Sequence, residues 1–285
     1  MDIGLGLPIS NPRSLIEWSH RAEACGFSTL GLLDRLVFDN PEPLVALSVL
    51  AGTTERIRLQ TEVLLGPLRS TALLAKQVST LDSMSGGRFR LGIGVGGRDD
   101  DHAAAGTPVH RRGAMMDDQL RDLRRIWSGE PYRADGAASA GGVVGPAPTS
   151  ARGPEILIGA FAPKALRRVA QHGDGFLCAT PLERVAAQVA TVREQWTAAG
   201  RAGSPRLVCQ VNVAVGPENT VETARAAIAD YYAFTGRQGW GAPVSDPQHL
   251  RDLVDSYREL GADELMLYCY ADDPDQIERV AALAL

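Results

Sequence analysis

The chain has 285 residues, 45% hydrophobic and 22% charged, with a formal net charge of −5 and a mean hydropathy near zero. That balance excludes a collagen-like, coiled-coil or wholly disordered chain. It also argues against work done by neutralising nucleic-acid phosphates or lying on an anionic membrane.

No stretch approaches the roughly 20 apolar residues of a membrane span, and the first residues lack the basic start of a signal peptide. The four cysteines, Cys25, Cys178, Cys209 and Cys269, are widely separated, with no zinc or disulfide pattern. A reduced, cytoplasmic protein is expected. The length suits one α/β barrel domain over residues 1–285.

Short runs rich in Ile, Leu and Val alternate with stretches of helical period. In chain order the predicted strands are 3–7, 29–33, 57–64, 89–95, 155–158, 175–179, 207–215 and 264–269. Predicted helices lie between them at 12–25, 42–53, 70–84, 113–128, 163–171, 182–199, 221–235 with 247–260, and 273–284. Eight strand-helix units over this length predict a closed (β/α)8 TIM barrel, with an open doubly wound sheet as the alternative. Residues 129–153, rich in Gly, Ala, Ser and Pro, are too long for an ordinary connection and predict a partly mobile excursion before strand five. A second irregular stretch after the seventh strand holds Gly236, Gly239, Trp240 and Gly241, with Trp240 either a lid or packed on the rim.

In such a barrel, chemistry sits at the carboxyl ends of the strands. Polar residues there are Asp34, Arg35, Thr61, Glu62, Arg98, Thr180, Asn212 and Tyr268. Asp34 either acts in the mouth, pairs with Arg35 or caps the next helix. As a mouth residue it contributes little to the core, so Asp34→Ala is expected to weaken turnover more than folding. Glu62 interrupts an apolar run, so its charge is paired, wet or protonated. A carboxyl so placed can donate a proton, and an ion pair with Arg58 is the alternative. Strand four ends in Gly92, Gly94, Gly96 and Gly97. The acidic run Asp99 to Asp101 follows instead of an apolar helix, so these glycines leave room for a flat ligand or a tight turn and do not make a dinucleotide fingerprint. After strand five, Gly159, Ala160, Phe161 and Ala162 lead into Pro163, a helix start whose free N–H groups suit a phosphate, unless the segment is a mere turn. The five histidines show no metal spacing and no G-x-S-x-G occurs, which favours metal-free, non-hydrolytic chemistry with a bound cofactor.

The runs Thr54-Glu55-Arg56-Ile57-Arg58-Leu59, Leu73-Leu74-Ala75-Lys76-Gln77, Thr80-Leu81-Asp82 and Ser85-Gly86-Gly87-Arg88-Phe89 through Gly96 resemble the bacterial luciferase-like flavin and deazaflavin oxidoreductases. So do Ile158-Gly159-Ala160, Pro163-Lys164-Ala165-Leu166-Arg167-Arg168 and Gly173-Asp174-Gly175-Phe176. The resemblance implies a TIM barrel with an excursion before strand five and a reduced flavin or coenzyme F420 in the mouth. It places the cofactor phosphate on Gly159, Ala160, Phe161 and Ala162, and the ring near Gly94 and Gly96. A non-prolyl cis peptide at Glu62-Val63, following Thr61, would support that ring. A homodimer acting on a small molecule is also implied.

The chain departs from the resemblance where it matters. Asp34-Arg35 stands where many deazaflavin-dependent members carry Asp-His, and Glu62 stands where they carry a small residue. Arg35 cannot shuttle protons because guanidinium stays protonated, so it is expected to hold an anionic substrate or ring, leaving Asp34 or Glu62 as the catalytic acid. The expected function is hydride transfer between coenzyme F420 and a small organic substrate. The alternatives are an FMN-dependent monooxygenase using reduced flavin and O2, or a barrel that binds a cofactor without catalysis because Glu62 fills the ring site.

Overall fold

A computed structural model describes residues 1–134, 141–236 and 241–285. The strands are β1 (Asp2–Gly6), β2 (Thr29–Leu32), β3 (Arg58–Thr61), β4 (Leu64–Leu65), β5 (Phe89–Gly94), β6 (Glu155–Gly159), β7 (Gly175–Cys178), β8 (Arg206–Val213) and β9 (Glu264–Cys269). All pair in parallel, in the order β3-β2-β1-β9-β8-β7-β6-β5-β4, and a β3–β5 pairing closes the ring. β3 and β4 are two halves of one stave, both lying beside β5, so the barrel has eight staves. The predicted closed barrel is therefore observed. The cis peptide that the resemblance implies at Glu62-Val63 is observed, and it interrupts the strand predicted as continuous over 57–64.

Around the barrel run α1 (Leu15–Cys25), α2 (Pro43–Thr53), α3 (Thr71–Met84), α4 (Asp99–Ala104), α5 (Arg112–Trp127), α6 (Pro163–His172), α7 (Leu182–Ala198), α8 (Glu218–Tyr231), α9 (Pro247–Glu259) and α10 (Gln276–Ala284). Their starts follow local chemistry. Glu42 accepts from Val45 N at 2.8 Å with Pro43 next in line, and Asp246 accepts from His249 N at 2.7 Å ahead of Pro247. Inward faces repeat at three and four residues, as with Leu15, Trp18, Ser19 and Ala22 of α1. The short helix α4 is not predicted, because the run Asp99-Asp100-Asp101 carries no apolar period. Acidic residues in a first turn are nevertheless favourable to the helix dipole.

Alternate strand residues point inward. At the amino end of the barrel they form a charged layer: Arg90 pairs with Glu264 at 2.5 Å and Glu155 at 2.9 Å, and Arg206 reaches Glu155 at 2.9 Å. Burial by itself would raise the Glu264 carboxyl, but Arg90 and the hydroxyls of Ser28 and Thr29 hold it below its ordinary value. Above this layer a small apolar plug of Leu157, Leu177, Val208 and Met266, with Val63 against it, seals the floor of the mouth. The larger apolar layer lies outside, between strands and helices.

The excursion before the fifth stave is anchored at its described ends. Tyr132 and Gly142 form an antiparallel bridge, Lys76 Nζ donates to Gly145 O at 2.6 Å, and Asp82 accepts from Thr149 N and Oγ1, each at 2.7 Å. The expected mobility falls partly on residues 135–140 and the expected lid on Trp240, all of which lie outside the described residues.

Candidate active site

Asp34 follows β2 at the carboxyl end of the barrel and is 4% exposed. Neither sequence alternative holds: its partner is not Arg35, and it caps no helix. One oxygen accepts from Leu65 N at 2.8 Å and Arg69 Nη1 at 2.6 Å, and the other from Arg69 Nη2 at 3.1 Å. Arg69 continues to Glu42 at 2.8 Å. The carboxylate thus ties the end of β2 to the chain leaving β4, and the expected small role in stability is corrected by this buried, bidentate pair.

Arg35 points elsewhere. Its Nε donates to Asp101 at 2.6 Å and its Nη2 to Val37 O at 3.0 Å, and its guanidinium lies 5.3 Å from the Phe38 ring centroid. Asp101 also accepts from Leu36 N at 3.0 Å and Val37 N at 2.7 Å. The short helix α4 thereby supplies the anion that holds Arg35. Only Nη1 of that guanidinium is buried without a partner.

Glu62 stands at the break between β3 and β4, on the same face as Gln60 two residues earlier. Gln60 Nε2 donates to Glu62 Oε1, while Oε2 is buried and unpartnered. The alternative of an ion pair with Arg58 is not observed, since Arg58 is exposed at the other end of the strand. Burial pushes the Glu62 carboxyl up to about 8; Gln60 and Arg90 oppose the rise and Glu264 adds to it. The acid is therefore mostly protonated at neutral pH.

The side chain of Glu62 lies over Gly31, where a Cβ would come within 2.8 Å of its Cγ. Next to it, the Tyr268 ring fills the place over Gly6, where a Cβ would sit 2.1 Å from the ring. The Tyr268 hydroxyl is likewise buried and unpartnered. Burial, with the Glu62 charge as a second cause, drives that phenol well above its ordinary range.

On the opposite side, Val63 projects between Gly94 and Gly159, each too close for a Cβ, at 2.7 and 2.8 Å from its methyls. Thr61 is buried and donates from Oγ1 to Gly92 O at 2.7 Å, joining the third stave to β5. Gly96 turns the chain away at φ +74°, beside His102, whose Nε2 lies 3.1 Å from Val95 O. Beyond β6, Ala160 is buried, and Phe161 and Ala162 are exposed at the start of α6, which has no side-chain cap. Lys164 is exposed in the first turn.

The structure thus brings Thr61, Glu62, Val63, Gly94 and Gly159 to one rim, with Gly96, Ala160, Phe161 and Ala162 on the loops above it. Asp34 and Arg35 are engaged by Arg69 and Asp101. Neither partner is singled out by the sequence, because each lies more than 30 positions away. Gln60 could have been found from its period-two spacing to Glu62.

An eight-stave parallel barrel with Val63 set between Gly94 and Gly159, beside the buried acid Glu62, places its candidate chemistry at the carboxyl ends of the strands. The pattern described as luciferase-like monooxygenase matches residues 2–279, and the chain belongs to that family. It is similar to an F420-dependent glucose-6-phosphate dehydrogenase of Beutenbergia cavernae, at 26% identity over 94% of this chain and 83% of that one. Among solved structures, the monooxygenase RslO1 of Streptomyces bottropensis superposes with a TM-score of 0.85 at 21% identity, covering 99% of this chain and 97% of its own. An F420-dependent secondary alcohol dehydrogenase bound to an F420-acetone adduct superposes with a TM-score of 0.84 at 16% identity, covering 99% and 97%. These two structural likenesses establish the shared fold. Among the described residues no helix is long and apolar enough to cross a membrane, and no cluster of metal-ligating side chains occurs.

Proposed function

We propose that the chain is an oxidoreductase that uses coenzyme F420 to move a hydride to or from a small organic substrate. The observation that carries this reading is the placement of Val63 against the side-chain-less strand ends at Gly94 and Gly159, with the Glu62 side chain turned aside over Gly31. A flat ring fits such a place: the strand ends offer no side chains there, and unpartnered polar atoms of Glu62 and Tyr268 lie beside it. The uncapped amino end of α6, with Phe161 and Ala162 before it, suits the phosphate of the same cofactor. Bound and reduced, the deazaflavin supplies the hydride. The chain's own groups do the rest: Val63 and the glycines position the ring, the apolar plug excludes water from below, and Glu62 holds a proton at Oε1 or Oε2. Asp34 and Arg35 take supporting places through Arg69 and Asp101.

Likeness to the F420-dependent relative over nearly the whole chain favours the deazaflavin. Likeness to the monooxygenase RslO1 favours the second reading, an FMN-dependent monooxygenase using O2. The placement of Glu62 away from the Val63 floor weighs against a barrel that merely binds. We extend the proposal to a cytoplasmic homodimer of single-domain subunits with a small-molecule substrate and neither nucleic acid nor membrane as partner. Parallel titrations with F420 and FMN, followed by absorbance and fluorescence, test the reading. Tighter F420 binding is expected, and tighter FMN binding would overturn it.

A further inference from the structure

In the proposed chemistry Glu62 gives up a proton and has to regain one, yet bulk water does not reach its carboxyl. The residue is 7% exposed, and its Oε2 is buried without a partner. Below it lie the fully buried amide of Gln60, which donates to Oε1, and the buried ion pair of Arg90 and Glu264. The amide keeps its protons and the ion pair its charges, so no route to solvent leads downward.

A route upward follows β9. Its inward residues alternate as Met266, Tyr268 and then Tyr270 just past the strand end. Tyr268 stands beside Glu62 because Gly6 and Gly31 leave room for both side chains. The Tyr270 ring centroid lies 5.7 Å from that of Tyr268. These two residues are 1% and 2% exposed, and both hydroxyls are buried without partners, as Glu62 Oε2 is. Three such atoms in a row are unfavourable for stability, and a role in function accounts for their retention. Tyr270 next meets Tyr231 at 5.8 Å, and Tyr231 meets the half-buried Tyr232 at 4.9 Å. The Tyr232 phenol also faces that of Tyr270 and the Asn212 amide. Tyr232 and Asn212 form part of the wall of a cavity of about 300 Å³. Glu183 and His249 line the same cavity and are exposed, so it communicates with solvent.

Resting on the proposed role of Glu62, we infer that Tyr268, Tyr270 and Tyr232 form a line of hydroxyls that returns a proton from the cavity to the Glu62 carboxylate. At each step a hydroxyl oxygen accepts a proton on one side, releases its own on the other and rotates back. One O–H bond forms at Glu62 and one bond to hydrogen breaks at the donor in the cavity, a hydronium ion or the His249 imidazolium. No electrons are transferred, and each phenol ends neutral. Burial drives the Tyr268 and Tyr270 phenols well above their ordinary range, which favours a hop between neutral hydroxyls over a phenolate carrier. The three tyrosines act through Glu62 and are positioning residues for its proton.

The test follows the carbonyl stretch of the protonated Glu62 carboxyl in cofactor-free protein by time-resolved infrared spectroscopy. The trigger is a pH jump through about 8, the folded value of Glu62, and Glu62→Gln assigns the band. Tyr270→Phe keeps the ring and removes the hydroxyl, and its relaxation should slow by on the order of tenfold or more at unchanged amplitude. Tyr232→Phe, on the cavity wall, should slow it likewise, and it is read alone if Tyr270→Phe fails to fold by circular dichroism. A relaxation as fast in the folded variants as in the wild type overturns the inference, whatever happens to the amplitude. So does a wild type without a Glu62 band, which has no proton to return. F420 titration of the same samples keeps the two levels apart. Slowed relaxation without coenzyme binding defeats only the cofactor reading, whereas coenzyme binding with an unslowed relaxation defeats only the relay.

Discussion

Glu62 and Tyr268 sit side by side in the barrel mouth because the two strands between them carry glycine at the same level. Gly6 and Gly31 are register partners, and the space their missing side chains leave is filled by the Tyr268 ring and the Glu62 chain. The acid and the phenol are thereby desolvated together, which raises both above their ordinary proton affinities.

That desolvation makes stability depend on pH. The folded Glu62 titrates at about 8 against 4.5 as the ordinary value, so its contribution is fully present below pH 4.5 and is lost as pH rises through 8. Burial sets it first, with Glu264 adding to the rise and Gln60 and Arg90 opposing it. Urea unfolding from pH 4.5 to 8.5 should show a decline of up to a few kcal/mol in the wild type. Glu62→Gln should remove that part of the slope. A slope that is the same in both proteins would show that Glu62 is ionised in the fold.

Asp34→Ala should destabilise the protein by about 3 kcal/mol or more, since it strands the Arg69 guanidinium and frees Leu65 N. The midpoint of chemical denaturation measures this. If activity falls while stability holds, Asp34 acts in the chemistry and not through its pair.

Gly6→Ala should cost about 1–3 kcal/mol, because its methyl would enter the Tyr268 ring and displace it toward the mouth. The same variant should alter the ultraviolet spectrum of the tyrosines. Wild-type stability in this variant would mean that the ring is free to move away.

Gly159→Ala should weaken cofactor binding several-fold while the circular dichroism spectrum stays native. Its methyl presses on Val63 from the side on which the ring is proposed to lie. Unchanged cofactor affinity would move the ring off the Val63 floor.

Much of the fold is legible in order along the chain. The strand over 264–269 is read at its observed bounds, and α3 and α6 to within one residue, because an apolar period and, for α6, a Pro at the first turn are local signals. Periodicity misreads the third strand as continuous, because no local pattern from Ile57 to Leu64 marks the cis peptide at Glu62-Val63, which the family resemblance alone implies. The candidate site divides the same way. Glu62 stands out as a charge in an apolar run, and Gly94 and Gly159 as bare strand ends. Asp101, Arg69 and Tyr268 gain meaning only beside partners that are far off in sequence.

The order of residues by itself determined which segments become strands and helices, and that an acid enters the third stave. Closure of the barrel decided the remainder: Arg69 rather than Arg35 for Asp34, Asp101 for Arg35, and Tyr268 beside Glu62. The physical reason is that periodicity and capping act over a few residues, whereas pairing, burial and proton affinity depend on what eight staves bring within a few ångströms.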